Sequence, residues 1–183
     1  MPRLLLLRHA KSSWDDVSAD DFDRPLNDRG RLAAPVMGSH LAAHGLAPDR
    51  ILCSSARRAR ETLAALLPHL DEEVDVRLTR DLYFAGEDRM IDQIRAHGGN
   101  ASTLLVIGHN PGIQETALAF LTETASPVTE AIAAKFPTTG LAIVDFPAAK
   151  WVDIEPRTGR AVAFLKPRGR KLVEISAEDE PAG

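Results

Sequence analysis

Cysteine is nearly absent from this chain of 183 residues, with Cys53 standing alone. A single thiol excludes an intramolecular disulfide framework and every multi-cysteine metal site. It fits a reducing compartment. Long apolar runs are missing too, and no stretch reaches the roughly 18 residues of a membrane span. Pro2-Arg3 and the four leucines that follow mimic a signal peptide, but Arg8-His9 interrupts the run where a cleavage region should come. The expectation is a cytoplasmic protein with no membrane partner. Positive charge is not in excess: 22 basic and 26 acidic residues leave a formal net charge of −4. No global basic field therefore points to nucleic acid as partner. Internal repeats, low-complexity linkers, a glycine-lysine nucleotide loop and a His-Glu-x-x-His zinc pattern are all lacking.

What is present reads as an ordinary globular domain, 44% hydrophobic and 26% charged. One domain is expected over residues 1–175, with the polar, acidic residues 176–183 as a flexible tail. Leu4-Leu5-Leu6-Leu7 suits a strand buried on both faces. Residues 12–25 read as a polar loop, and the acidic cluster Asp20, Asp21 and Asp23 within it as solvated, since no metal-ligand spacing appears. Asn27 is placed to cap a helix to about residue 41 with Leu32, Val36, Met37 and Leu41 on one stripe. Pro35 should bend that helix or delay its start.

Further along, residues 50–53 read as a strand, and Ser54 or Ser55 as the cap of a helix whose inner face is Ala59, Leu63, Leu66 and Leu67. Val74, Val76 and Leu78 alternate with charge. Helix 88–97 ends at Gly98-Gly99, strand 103–107 follows, and Asn110-Pro111 suits the start of a helix to about residue 121. A helix over 127–135 precedes strands 141–146, 151–154 and 161–166, with Arg157-Thr158-Gly159 as a hairpin turn. Strands alternating with helices predict a three-layer α/β/α sandwich with a mostly parallel sheet and an antiparallel edge near the C-terminus.

Three segments place polar or titratable groups directly after predicted strands: Arg8-His9-Ala10, Ser54-Ser55-Ala56-Arg57-Arg58, and Gly108-His109-Asn110-Pro111-Gly112. In a parallel sheet these turns meet at one rim, where ligands gather. Two imidazoles and several guanidiniums converging there call for an anion. Guanidinium forks match phosphoryl oxygens, and a neutral imidazole is a competent nucleophile toward phosphorus. One histidine would attack while the other and the arginines hold charge on the equatorial oxygens, a chemistry of positioning and electrostatics that needs no metal or cofactor.

The segments "LLLLRHAKSS", "DFDRPLNDRGR", "SSARRARET" and "VIGHNPG" resemble the histidine phosphatase (phosphoglycerate mutase-like) superfamily, and most of all its small SixA-type phosphohistidine phosphatases. The resemblance runs from Leu4 to at least Gly140. It implies His9 as the nucleophile that carries a phosphohistidine intermediate, with Arg8 beside it on the phosphate. It also implies His109 as the second histidine of the pocket. The family pattern of arginine, alanine and a threonine three residues on selects Arg58 over Arg57 and Arg60. Ala10 stands where the wider superfamily has glycine. Many phosphoester-cleaving relatives place a glutamate after the third strand. Here the role falls to Asp81 or is empty, and an empty role favours a leaving group that needs little protonic help, such as the imidazole of a phosphohistidine. Lys11 and Ser12 lie close enough to His9 to bind substrate, whereas Asp15 would repel phosphate. Thr138-Thr139-Gly140 also resembles a family segment, with no role assignable from its chemistry.

The resemblance thus implies a phosphatase acting on protein phosphohistidine, with small phosphomonoesters or phosphoanhydrides as the alternative substrates. Rival classes fare worse. A cysteine phosphatase needs five residues between cysteine and arginine, and counting from Cys53 reaches Ala59, with Arg58 and Arg60 on either side. A non-catalytic phospho-ligand binder has no need of the nucleophile.

Overall fold

Leu4, Leu5, Leu6 and Leu7 are all fully buried, and their alternation divides them between two separate cores. Leu4 and Leu6 join one core, Leu5 and Leu7 the other, so β1 (Arg3–Arg8) is covered on both faces. The computed structural model describes residues 1–15, 18, 20–70, 73–123 and 125–177.

β1 lies in a seven-stranded sheet of order β3-β2-β4-β1-β5-β6-β7. The other strands are β2 (Arg50–Ser54), β3 (Asp75–Thr79), β4 (Thr103–Gly108), β5 (Leu141–Asp145), β6 (Arg160–Arg168) and β7 (Lys171–Ser176), of which β4 and β5 flank β1. β1 to β4 pair in parallel, and β5, β6 and β7 complete the sheet with antiparallel pairings. Helices α1 (Asp28–Ala43) and α2 (Arg57–Leu66) bury Met37, Leu41, Leu63 and Leu66 against one face. Against the other lie α3 (Glu87–His97), α4 (Gly112–Phe120) and α5 (Pro127–Ala134), through Met90, Ile94, Ile113, Phe120 and Ile132. The expected α/β/α arrangement with an antiparallel C-terminal edge is the one observed.

Several local expectations change. Asn27 does cap α1, its side chain accepting from the Gly30 amide at 3.0 Å, and the helix continues through Pro35. Leu32, however, is 53% exposed; the buried stripe is Ala34, Met37 and Leu41. Neither serine caps α2: Ala56 holds that position, and Ser54 accepts from its amide at 3.3 Å. Leu67 lies outside the buried face. Asn110 is not the cap of α4; its bond to Pro111 is cis and Pro111 precedes the helix.

Residues 151–154 are not a strand. Trp151–Asp153 is a 3-10 turn in which Trp151 and Ile154 are buried and Val152 is exposed, a spacing of three rather than two. The turn at Arg157-Thr158-Gly159 therefore leads into β6 instead of joining two strands. The antiparallel hairpin is β6–β7, turning at Gly169 with φ +64°. Ser176, expected in the tail, ends β7, and the Ala177 amide donates to the Val162 carbonyl. Residues 178–183 of that tail lie outside the described residues.

Burial on both faces makes β1 intolerant of truncation. Leu5→Ala is expected to lower unfolding free energy by about 2–5 kcal/mol in urea titrations. A loss within about 0.5 kcal/mol, typical of surface positions, would contradict this packing.

Candidate active site

The parallel register brings three strand ends to one rim. Leu7 pairs with Ile107 and Arg8 with Gly108, while Cys53 also pairs with Ile107. His9 and His109 therefore leave adjacent strands side by side, their ring centroids 5.0 Å apart. Both are buried. Around them opens a cavity of about 250 Å³ whose lining includes Arg8, Lys11, Asp21, Arg58, Asn110 and Thr138.

Backbone contacts fix the His9 ring. Its Nδ1 lies 2.7 Å from the Ala10 carbonyl, which can only accept, so Nδ1 carries the proton and the lone pair sits on Nε2. There the Arg58 Nε–H donates at 3.3 Å. Arg58 reaches this place through Thr62, whose hydroxyl accepts from the Ala10 amide at 2.9 Å and donates to the Arg58 carbonyl at 2.7 Å. One threonine thus ties the loop after His9 to α2. His109 Nε2 shares a hydrogen bond of 2.8 Å with Ser54 Oγ, joining the ends of β2 and β4. Arg8 donates from Nη1 to the Phe136 carbonyl at 2.9 Å. Arg8 Nε and His109 Nδ1 are buried without a hydrogen-bond partner among the described residues. Both residues line the cavity, where a phosphoryl oxygen can satisfy such atoms.

The two imidazoles are held neutral. Burial first, then the neighbouring His109 and the charges of Arg58 and Arg8, push His9 well below its ordinary value of 6.5. Burial and Arg58 lower His109 to about 3. Burial and Arg58 likewise lower Arg8.

Of the other residues singled out from sequence, Lys11 lines the cavity and is exposed. Ser12 lines it too, but its hydroxyl is occupied, accepting from Arg24 Nη2 at 2.6 Å. Asp81 is elsewhere. It is exposed, bound to the Thr79 hydroxyl, and absent from the cavity lining. The 3-10 turn after β3 (Arg80–Leu82) turns this side chain outward and sends Tyr83 and Phe84 toward His109 instead, at ring distances of 5.5 and 5.7 Å. Cys53 is buried in the core beside α1 and α2, where burial raises its thiol pKa, and it has no place in the cavity.

The carboxylate that sequence reasoning passed over is Asp21. It accepts from Tyr83 Oη at 2.7 Å, Arg24 Nη1 at 2.8 Å and Arg58 Nη2 at 3.1 Å, and its carbonyl accepts from Arg58 Nη1 at 2.5 Å. Burial would raise its pKa, but Tyr83, Arg24 and Arg58 outweigh that and lower it to about 2. Arg24 in turn stacks on Trp14, 3.2 Å from the ring centroid, and bonds Ser12 and Ser13, so the two ends of the expected polar loop are tied together at the rim. Asp21 opens the family-like segment DFDRPLNDRGR. Nothing in the local pattern singled out Asp21 from its acidic neighbours, because its partners lie up to 62 residues away.

The sequence model of the histidine phosphatase superfamily (branch 1) matches residues 4–83. A chain assigned as a SixA phosphohistidine phosphatase in Agrobacterium tumefaciens is 30% identical, covering 91% of this chain and 99% of that one, with a TM-score of 0.74. The chain belongs to the histidine phosphatase superfamily. A second chain assigned as SixA, from Nakamurella multipartitia, has a TM-score of 0.80 at 29% identity, covering 91% of this chain and 96% of that one. The uncharacterized protein Rv1276c of Mycobacterium tuberculosis is 42% identical over 164 residues, 88% of this chain and all of that protein. The fold, the family and these SixA-type neighbours make this a histidine-type phosphatase.

Acid should destabilise the protein in two windows. A buried histidine with a depressed pKa lends stability that is complete above its unfolded value of 6.5 and falls away as pH drops toward the folded value. Asp21, lowered from 3.8 to about 2, acts in the same direction over that lower interval. Thermal midpoints at constant ionic strength are expected to decline from pH 6.5 downward. His109→Gln should flatten the upper part of that decline; an unchanged slope would contradict the neutral, buried imidazole.

Proposed function

We propose that this protein hydrolyses phosphoryl groups through a covalent intermediate on His9, with protein phosphohistidine as preferred substrate. The observation that carries the reading is the lone pair of His9 Nε2, held between Arg58 and His109 in a cavity lined by Arg8 and Lys11. The Nε2 atom attacks phosphorus, the Nε2–P bond forms, and the bond to the leaving atom breaks with its electron pair going to the leaving group. Water then attacks the phosphohistidine, releasing phosphate and restoring neutral His9. Arg8 and Arg58 offset charge on the equatorial oxygens. His109 contributes a buried imidazole beside the reacting phosphorus. Lys11 stands at the mouth as a further cation, whereas Ser12 supports Arg24.

The leaving group argues for phosphohistidine. Asp81 is outside the cavity, and Asp21, the carboxylate in its lining, is ionised at neutral pH and engaged by three donors. A cavity without a protonated carboxyl suits a leaving imidazole, which departs as a neutral base once solvent has protonated its distal nitrogen. An alkoxide has no such route and forfeits about 10²–10⁴-fold in rate without an acid. A cytoplasmic setting and a phosphorylated protein partner belong to the same reading.

Three measurements test it. Rapid acid-free quenching after addition of a phosphoryl donor should yield acid-labile, alkali-stable phosphate on His9, lost in His9→Ala. Across a panel of donors, kcat/KM for a phosphohistidine peptide should exceed that for a phosphoserine peptide by about 10²-fold or more. Because the nucleophile is neutral well below pH 6.5, kcat/KM should not fall between pH 8 and 6.5 through loss of the His9 base. Phosphate on another residue, or equal rates on both peptides, would sink the corresponding half of the reading.

A further inference from the structure

A second groove, of about 190 Å³, opens beside the catalytic cavity and shares Lys11 and Thr138 with it. Its lining brings together three cations from distant parts of the chain. Lys11 follows the nucleophile, Arg29 lies in the first turn of α1, and Arg170 sits in the β6–β7 turn. No carboxylate lines it, although the chain as a whole is acidic at −4. Lys11, Arg29 and Arg170 are exposed, and none forms an ion pair with any described residue. The β6–β7 turn concentrates the charge further, since Lys166, Arg168, Arg170 and Lys171 fall within six residues.

The arrangement is built into the backbone. Gly30 presses α1 onto the nucleophile loop so closely that a Cβ there would lie 2.2 Å from the Lys11 carbonyl oxygen. The Asn27 amide bonds that same carbonyl at 3.0 Å. Lys11 and Arg29 are thereby held near each other on one rigid corner. Between the cations the wall is apolar: Leu32, exposed despite its helical position, and Pro167. A cationic rim over an apolar wall, opening into a phosphoryl-transfer site, fits an uncharged spacer that joins two anions.

We propose that this groove is a second anion subsite, in which Lys11, Arg29 and Arg170 hold a phosphate or carboxylate carried by the same substrate whose phosphoryl group meets His9. The inference rests on the phosphatase reading above and extends it to substrate class: doubly anionic substrates are preferred over singly anionic ones. The second anion has two sources, an acidic residue flanking a phosphohistidine in a polypeptide, or a second phosphate on a small molecule.

Paired substrates separate these. One pair is a phosphohistidine peptide flanked by alanines and the same peptide flanked by aspartates. The other is a hexose 1-phosphate and a hexose 1,6-bisphosphate. At low salt the doubly anionic member of at least one pair is expected to have about tenfold higher kcat/KM, the scale of two or three exposed charge pairs. The ratio should shrink toward one in Arg29→Glu, in Arg170→Glu, and near 1 M salt, where screening acts within about 3 Å. Arg77→Glu, on the far edge strand β3, should leave it intact. Preference confined to the peptide pair assigns the anion to a polypeptide, and preference confined to the hexose pair to a small molecule. Ratios near one in both pairs overturn the subsite while turnover itself upholds the phosphatase. If no donor is turned over, the phosphatase reading fails, and calorimetric binding of the same four ligands to the wild-type protein decides the subsite: tighter binding of a doubly anionic ligand, lost in Arg170→Glu, supports it, and equal affinities overturn it.

Discussion

Four identical leucines on a strand buried on both faces cannot specify their own register, since a slip of two residues would bury leucines again. The ends of β1 do it instead. At its start, Arg3 forks onto Asp145 with bonds of 2.7 and 2.8 Å, and its amide meets the Ser102 carbonyl. At its finish, the Thr139 amide donates to the carbonyls of Arg8 and His9, and the His9 amide to Gly108. Thr139 takes φ +62° to present that amide. The leucines supply burial energy, about 1.5–3 kcal/mol each at most, while these polar clamps decide which residue emerges at the rim. Every distance in the cavity follows from that choice, because His9 meets His109 only when Arg8 lies opposite Gly108.

Once in register, the rim concentrates positive charge around buried side chains, and the structure answers with neutral imidazoles and the half-buried carboxylate of Asp21. Asp21 occupies Arg58 with both its side chain and its carbonyl. Its loop is held in turn by Arg24, Ser12 and Trp14. The arginine that a phosphoryl group needs is therefore engaged before any substrate arrives. A dianionic phosphoryl group has more charge to offer Arg58 than a single carboxylate does, and it also brings acceptors for Arg8 Nε and His109 Nδ1. The competition favours the ligand without leaving Arg58 bare in its absence.

Much of this was legible in the sequence because it depends on chain-local signals. Short apolar runs that break abruptly into Arg8-His9 or Gly108-His109 mark strand ends, and parallel pairing makes strand ends coincide. Arg58 needed the family pattern, since spacing alone leaves three arginines equivalent; its reason is Thr62, whose hydroxyl bridges Ala10 and Arg58. The failures share a cause. Asp81 and Asp21 look alike as sequence, and only the direction of the turn after β3 and the fold of the loop over the rim separate them. Trp151 and Ile154 resembled a strand because apolar character was visible and spacing was not. Trp151 instead packs over Gly98 and donates from Nε1 to the Ala101 carbonyl, a contact across 50 residues. β7 escaped notice because an edge strand with half-exposed residues carries little hydrophobic pattern.

The segment Thr138-Thr139-Gly140, whose chemistry alone said nothing, proves to join these levels. Thr139 clamps the end of β1, the Gly140 carbonyl accepts from the Arg8 amide at 3.1 Å, and Thr138 lines both the catalytic cavity and the basic groove. One short turn thus sets the register of His9 and lines both the cavity and the adjoining groove. Its hold on the end of β1 is made by backbone groups, which substitution seldom alters. The same division runs through Lys11: its carbonyl accepts from the Asn27 amide beside α1, and its ammonium forms no ion pair with the described residues. A scaffold divided in this way can vary the charge and shape of the adjoining groove without moving His9, which is how a single phosphoryl-transfer geometry can serve substrates of different kinds.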